Sequence, residues 1–131
     1  MTLTVLTAPD RPELDERPAA GPDGWVGVCP VTTILPDTGV CALVGDTQVA
    51  VFRLADGDLH AVSNHDPFSH AAVLSRGILG DRRGRPKVAS PVYKQSFDLR
   101  TGVCLDDDSV RIPVYRIRVA DGTVQVSLSP G

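Results

Sequence analysis

Short apolar runs separated by Gly, Asp, Pro and Ser fill the chain from about residue 25 onward, and this pattern is the strongest constraint on its fold. Runs this short are typical of strands, because an amphipathic helix needs a longer segment with apolar residues three and four positions apart. Only residues 31–35 and 69–74 have the pattern of a helical turn or two. Strands are predicted at residues 25–29, 40–44, 48–54, 59–62, 87–89, 96–99, 112–119 and 123–128.

Turn residues lie between the predicted strands. Gly45 and Asp46 separate two β-rich runs, and Asp121 and Gly122 separate two more. These residue types tolerate the positive φ angles of tight hairpin turns. Many short strands joined by such turns indicate an all-β fold, a small sandwich or barrel.

Alternation within residues 112–119 predicts which side chains are buried. Residues 115, 117 and 119 are expected to face a core, whereas Arg116 and Arg118 face water, since successive strand side chains point to opposite faces. Trp25, at the start of the first predicted strand, is expected in the core.

Composition limits the function classes. The 131 residues are 42% hydrophobic and 22% charged, which is typical of one globular domain, and the net charge of −3 provides no broad basic surface for nucleic acid. The sequence contains neither a run of about 20 apolar residues to cross a membrane nor an N-terminal signal pattern. We therefore expect a cytoplasmic protein with no nucleic-acid or membrane partner.

The chain divides into three parts by composition. Residues 1–24 are rich in proline and acidic residues and are interpreted as an irregular leader, residues 25–128 as the folded domain, and residues 129–131 as a tail. The three cysteines, Cys29, Cys41 and Cys104, are odd in number and lie among apolar neighbours, so they are expected to be reduced thiols in or near the core.

Two polar, turn-rich segments, residues 63–70 and 89–98, lie between predicted strands and are the candidates for a functional site. His65, Asp66 and His70 together provide the ligand types of a mononuclear iron site. Solvated loop histidines are the favoured alternative, because no motif places the three side chains on one side. His60 is interpreted as a surface strand residue, and Asp66, ahead of Pro67, as the cap of a turn.

The same segments resemble the cluster-binding loops of Rieske ferredoxin domains. The resemblance is carried by residues 59–64, Asp66-Pro67-Phe68, residues 74–77, residues 90–93 and residues 97–102. In that family two cysteines and two histidines hold a [2Fe–2S] cluster. In this chain the four ligand positions are occupied by Asp66, Phe68, Ser90 and Tyr93.

The resemblance therefore implies a Rieske-like fold that has lost its cluster. Phenylalanine has no donor atom, and serine and tyrosine are poor substitutes for thiolate and imidazole at iron. We expect no catalytic, cofactor or metal residue in this chain. By hypothesis, Ser90 and Tyr93 close the former cluster site with hydroxyl hydrogen bonds while Phe68 fills its apolar floor.

A narrower resemblance covers most of the predicted domain. Residues 40–44, 48–53, 64–68, 73–78 and 86–91 are similar to the small subunits of assimilatory NAD(P)H nitrite reductases. This implies a redox-inactive structural or regulatory partner of a large subunit that carries FAD, a [4Fe–4S] cluster and sirohaem and reduces nitrite to ammonia. The alternative is a metal-free Rieske-like interaction domain of another oxidoreductase, which the fold alone equally allows.

A short basic run is the first candidate for contact with a partner. It contains Arg82, Arg83, Arg85 and Lys87, interrupted by Gly84 and Pro86. The run is either a solvated hairpin tip or a docking patch for an acidic face of the large subunit. Lys94 and Gln95, beside the second loop, are further docking candidates.

Overall fold

The computed structural model describes residues 24–128, so the predicted leader, apart from Gly24, and the predicted tail lie outside the described residues. Within this range the chain forms strands and two single 3₁₀ turns, Val31–Thr33 and Leu74–Arg76. The strands are β1 Val26–Pro30, β2 Thr38–Val44, β3 Thr47–Arg53, β4 Leu59–Ser63, β5 His65–Asp66, β6 Ala71–Ala72, β7 Ile78–Arg82, β8 Arg85–Ala89, β9 Ser96–Asp98, β10 Val114–Ala120 and β11 Thr123–Ser127. No helix in this part of the chain is long and apolar enough to cross a membrane.

The strands form one large sheet and two small ones. The six-stranded sheet has the order β1-β11-β10-β4-β3-β2, and the small sheets are the β5-β6 hairpin and the three-stranded β7-β8-β9 sheet. All named strand pairs are antiparallel. The all-β fold class is therefore confirmed.

Strand β3 contributes to two hydrophobic cores. Val49 and Val51 belong to the core enclosed by the large sheet, whereas Ala50 and Phe52 belong to the core between this sheet and the β7-β8-β9 sheet. The two sets alternate because successive strand side chains point to opposite faces. A continuous apolar run thus joins the large sheet to the part of the fold that carries both candidate loops.

Two-residue turns close the hairpins. Asp121 and Gly122 have φ values of 52° and 77°, and Arg83 and Gly84 have values of 53° and 82°. Positive φ at both central residues is the geometry whose twist matches that of the flanking strands. The second turn places Arg83 at the end of the β7-β8 hairpin, where it is exposed.

The predicted strands all exist, with ends shifted by at most two residues. The sequence analysis missed β7 and the short strands β5 and β6. The helical turn predicted at residues 69–74 is wrong at its start, because Ala71 and Ala72 pair with Asp66 and His65 as strand β6. Its last residue, Leu74, instead begins a 3₁₀ turn.

Two burial predictions require correction. Tyr115 and Ile117 pack against the first core, but Val119 is 45% exposed near the β10-β11 turn. Trp25 is only half-buried, and its ring lies beneath the guanidinium groups of Arg116 at 4.7 Å and Arg118 at 4.2 Å. The indole is thus held on the outside of the sheet by cation–π contacts instead of entering the core.

The three cysteines are free thiols, two of them half-buried and Cys104 buried. Burial raises the pKa of Cys29 and Cys41, which keeps both thiols protonated at neutral pH. This agrees with the prediction of reduced thiols in or near the core.

Candidate functional site

The candidate site consists of two loops with the same backbone design. The first loop, residues 66–71, joins β5 to β6, and the second loop, residues 90–95, joins β8 to β9. The N–H of His70 donates to the carbonyl of Asp66 at 2.8 Å, and the N–H of Lys94 donates to the carbonyl of Ser90 at 3.1 Å. His70 and Lys94 both have left-handed backbones, with φ values of 59° and 70°.

The first side chain of each loop also has an equivalent role. Asp66 Oδ1 accepts the N–H of Phe68 at 2.9 Å, and Ser90 Oγ accepts the N–H of Val92 at 3.2 Å. Each residue therefore caps its own turn, which is the local hydrogen bonding that aspartate and serine favour ahead of proline. These local bonds fix the conformation of each loop separately.

One hydrogen bond then joins the two loops. Ser90 Oγ donates to Asp66 Oδ2 at 2.5 Å, and both residues are completely buried. Ser69 Oγ donates to the same oxygen at 2.8 Å. The carboxylate of Asp66 thus accepts hydrogen bonds from both loops and holds them together.

The hydrogen bonds explain how a carboxylate can be buried here. Burial by itself raises the pKa of Asp66, but the hydrogen bonds from Ser90, Phe68 and Ser69 outweigh it and hold the pKa below its usual value. Asp66 makes no ion pair with any residue in the range 24–128. Its charge is therefore stabilised by N–H and O–H donors rather than by a cation.

The other two ligand positions lie differently. Phe68 packs against the second core, and its ring centroid is 6.1 Å from that of Phe97. Tyr93 is 59% exposed, so its ring lies at the surface instead of closing the space between the loops, as the sequence analysis had expected. Of the two expected hydroxyl groups, only that of Ser90 reaches Asp66.

Asn64 lies two residues before the first loop and forms hydrogen bonds to neighbouring segments. The sequence analysis did not single it out. It is buried, its Oδ1 accepts the N–H of Ser75 at 2.7 Å, and its Nδ2 donates to Gln48 Oε1 at 3.2 Å. Its carbonyl accepts the N–H of Leu74. A lone asparagine directly after an apolar strand was the available signal, since a buried amide needs partners on several elements.

The residues at the four ligand positions do not fit a [2Fe–2S] cluster. None of Asp66, Phe68, Ser90 and Tyr93 provides a thiolate or an imidazole. In addition, the side chains at the two cysteine positions bond directly to each other, which leaves no room for a cluster between them. Within the described residues, no three His, Cys, Asp or Glu side chains form a group that could hold a metal ion.

The two loop histidines do not converge on Asp66. His65 and His70 are exposed, with ring centroids 6.1 Å apart, while the carboxylate of Asp66 is buried against the second loop. The three side chains therefore do not assemble into the ligand set considered from the sequence.

His60 is less exposed than the sequence analysis expected. It is half-buried opposite Phe52, and its Nε2 is buried without a hydrogen-bond partner in the described part of the chain. Burial lowers the pKa of His60, and the nearby Asp58 opposes this shift only in part. The ring is thus neutral at physiological pH.

The basic run lies on the β7-β8 hairpin, and several of its cations have internal partners. Arg82 contacts Asp106 at 3.3 Å and donates to the carbonyl of Leu105 at 3.1 Å. Arg85 lies 3.9 Å from Asp98. The Lys87 ammonium donates to Ser96 Oγ at 3.1 Å, and Arg83 is exposed at the turn.

The remaining docking candidates lie in the second loop. The Lys94 ammonium donates to the carbonyl of Pro91 at 3.4 Å, and Lys94 is exposed. The side-chain oxygen of Gln95 is buried and has no hydrogen-bond partner in the described residues. Lys94 thus lies at the surface, whereas the oxygen of Gln95 does not.

Comparison with known proteins agrees with this description of the fold. Residues 24–127 match the family model of the Rieske-like [2Fe–2S] domain. The chain therefore belongs to the Rieske-like domain family, although its own residues do not fit the cluster.

Within this family the chain is a member of the nitrite reductase small subunits. It is 48% identical over 103 residues to the nitrite reductase (NADH) small subunit of Escherichia coli K12. This match covers 78% of this chain and 95% of the relative. The crystal structure of a Mycobacterium tuberculosis protein assigned as an NADH-dependent nitrite reductase small subunit superposes with a TM-score of 0.76. That protein is 53% identical, and the match covers 79% of this chain and 93% of the other.

A third relative has a different organisation. The nitrite reductase [NAD(P)H] large subunit of Klebsiella oxytoca is 37% identical over 124 residues, which covers 95% of this chain but only 12% of that much longer protein. In this relative a domain similar to the present chain is therefore part of the large-subunit polypeptide.

Proposed function

We propose that this chain docks on the large subunit of an NAD(P)H nitrite reductase and acts there as a structural or regulatory subunit without a redox centre. The observation that carries the proposal is the direct hydrogen bond between Asp66 and Ser90 at the positions of the two cluster cysteines. A chain without a redox centre does not relay electrons. The reduction of nitrite to ammonia is thus assigned to cofactors of the large subunit, namely FAD, a [4Fe–4S] cluster and sirohaem.

The organisation of the relatives supports a physical association. The Klebsiella relative contains a similar domain within a chain named as the large subunit. Covalent joining keeps two domains at a high effective concentration, which is useful when they work in contact. A separate chain of the same family must achieve that contact by non-covalent docking, and we infer that this docking takes place in the cytoplasm.

Co-purification tests this proposal. Tagged protein is recovered from cells grown on nitrite as the sole nitrogen source, and NAD(P)H-dependent nitrite reduction is assayed in the eluate. We expect a sirohaem-containing partner and activity in the eluate, and no iron in the purified chain alone. Recovery of a different oxidoreductase would contradict the nitrite reductase assignment and favour a general interaction domain.

A further inference from the structure

The ends of the two loops carry exposed apolar and basic side chains. This loop tip comprises residues 67–70 and 91–94. It exposes Val92 by 45% and Tyr93 by 59%, together with His70 and Lys94. Neither range contains an acidic residue, and the neighbouring Asp66 is completely buried. The loop tip therefore exposes two large apolar side chains, and its only ionisable groups besides the tyrosine hydroxyl are those of His70 and Lys94.

The loop tip is also fixed before any partner binds. Each loop is closed by a backbone hydrogen bond, which His70 donates in the first loop and Lys94 donates in the second. The hydrogen bond between Asp66 and Ser90 sets the position of one loop relative to the other. Binding by ordered loops avoids the entropic cost of fixing them at the interface. An exposed tyrosine on such a rigid support is a typical anchor of a protein interface.

The β7-β8 hairpin is less suited to the same task. Arg82, Arg85 and Lys87 already contact Asp106, Asp98 and Ser96 respectively. These internal contacts already occupy part of the hydrogen-bonding and ion-pairing capacity of the three cations. Only Arg83 is left at the turn, and a single exposed charge contributes little to affinity.

We propose that the loop tip, rather than the β7-β8 hairpin, is the surface that meets the large subunit. This deepens the proposed function and rests on it. The matching surface of the large subunit is an apolar depression for Tyr93 and Val92 with carboxylates beside it for Lys94. In a chain without the cluster, the two loops thus serve to recognise the large subunit.

A matched pair of substitutions tests the location. Val92→Asp places a charge in the loop tip, and Val119→Asp places the same charge on a valine of equal exposure, 45% in both cases. Val119 is distant from the loops. It lies five residues further along β10 than Val114, and Val114 pairs with Val62, which precedes the first loop in the chain. That separation corresponds to about 17 Å along the strand. Both valines are at the surface, so neither change is expected to prevent folding.

Affinity for the purified, cofactor-loaded large subunit is the measured quantity. We expect Val92→Asp and Tyr93→Ala each to raise the Kd at least tenfold and Lys94→Glu to slow association, while Val119→Asp and Arg83→Glu change the Kd less than twofold. Wild-type affinity of the Val92→Asp and Tyr93→Ala variants, with unchanged thermal melting, would overturn the proposal. Failure of the wild-type chain itself to bind would instead contradict the proposed function.

Discussion

Asp66 and Ser90, 24 residues apart in the sequence, are joined by a hydrogen bond of 2.5 Å in which both side chains are completely buried. The resemblance of the two loops to Rieske loops implies that these are the positions of the two cluster cysteines. A cluster ties its two loops together through metal ligation, and here a carboxylate and a hydroxyl do so through hydrogen bonds. We therefore expect the two loops to keep this arrangement without iron.

Coupling between these two residues is measured by a double-mutant cycle. Asp66→Ala leaves the donors of Phe68, Ser69 and Ser90 without their acceptor, and the Ser90 hydroxyl is completely buried, so we expect the free energy of unfolding to fall by about 3 kcal/mol. For Ser90→Ala we expect a loss of about 1–2 kcal/mol. The double variant should lose less than the sum of the two, as determined by urea unfolding. Strict additivity would show that the contact contributes nothing of its own.

Acid sensitivity follows from the lowered pKa of Asp66. The pKa of Asp66 is lower in the folded chain than in the unfolded chain, so ionised Asp66 stabilises the fold above about pH 4. This stabilisation is lost as the pH falls further, through the pKa of Asp66 in the folded chain. Asp66→Asn removes this titration. The stability difference between wild type and Asp66→Asn should thus be largest at pH 7 and shrink towards pH 2, measured by denaturant unfolding at each pH. A constant difference would contradict the prediction.

Restoring the ligands tests the correspondence of the loops with a Rieske site. The combined variant Asp66→Cys, Phe68→His, Ser90→Cys and Tyr93→His is expected to take up about two iron atoms per chain on anaerobic reconstitution, with iron–sulfur absorption in the visible range. Wild type treated in the same way is the control and should remain colourless. A colourless, folded quadruple variant would show that the two loops are not spaced like a cluster site.

His60 gives the fold a second, milder pH dependence. Burial lowers the pKa of His60, so the unfolded chain binds its proton more readily than the folded chain, and stability decreases as the pH falls below about 6.5. His60→Leu removes this group and its unpartnered nitrogen. The free energy of unfolding of His60→Leu should therefore change less than that of wild type between pH 7.5 and 5.5. An equal change in both proteins would be evidence against a role for His60.

Tryptophan fluorescence reports on the contacts of Trp25, because the chain contains one tryptophan. Arg116→Ala removes a guanidinium that lies 4.7 Å from the ring centroid. We expect a red shift of the emission, since the ring gains contact with water, and a loss of stability of about 0.5–1 kcal/mol. Arg111→Ala, also at an exposed arginine, is the control and should leave the emission unchanged. An unshifted spectrum for Arg116→Ala would mean that the guanidinium does not shield the indole.

The sequence by itself determined the positions of eight of the eleven strands and the identity of the residues at the expected cluster positions. The run from Val49 to Phe52 is apolar at every position, and in the structure it faces two cores, one on each side of β3. Turn residues such as Asp121 and Gly122 marked the hairpin because their backbone preferences are local. The identity of the residues at the four ligand positions is likewise independent of how the chain is folded.

Only the tertiary structure decided which polar groups meet. The bond between Asp66 and Ser90, the pairing of Arg82 with Asp106 and the position of Trp25 beneath two arginines all join segments that are distant in the sequence. Periodicity indicates which side chains share a face of a strand, since that depends on local geometry. It carries no information about which partner a polar side chain finds, because that depends on how the strands are arranged in space.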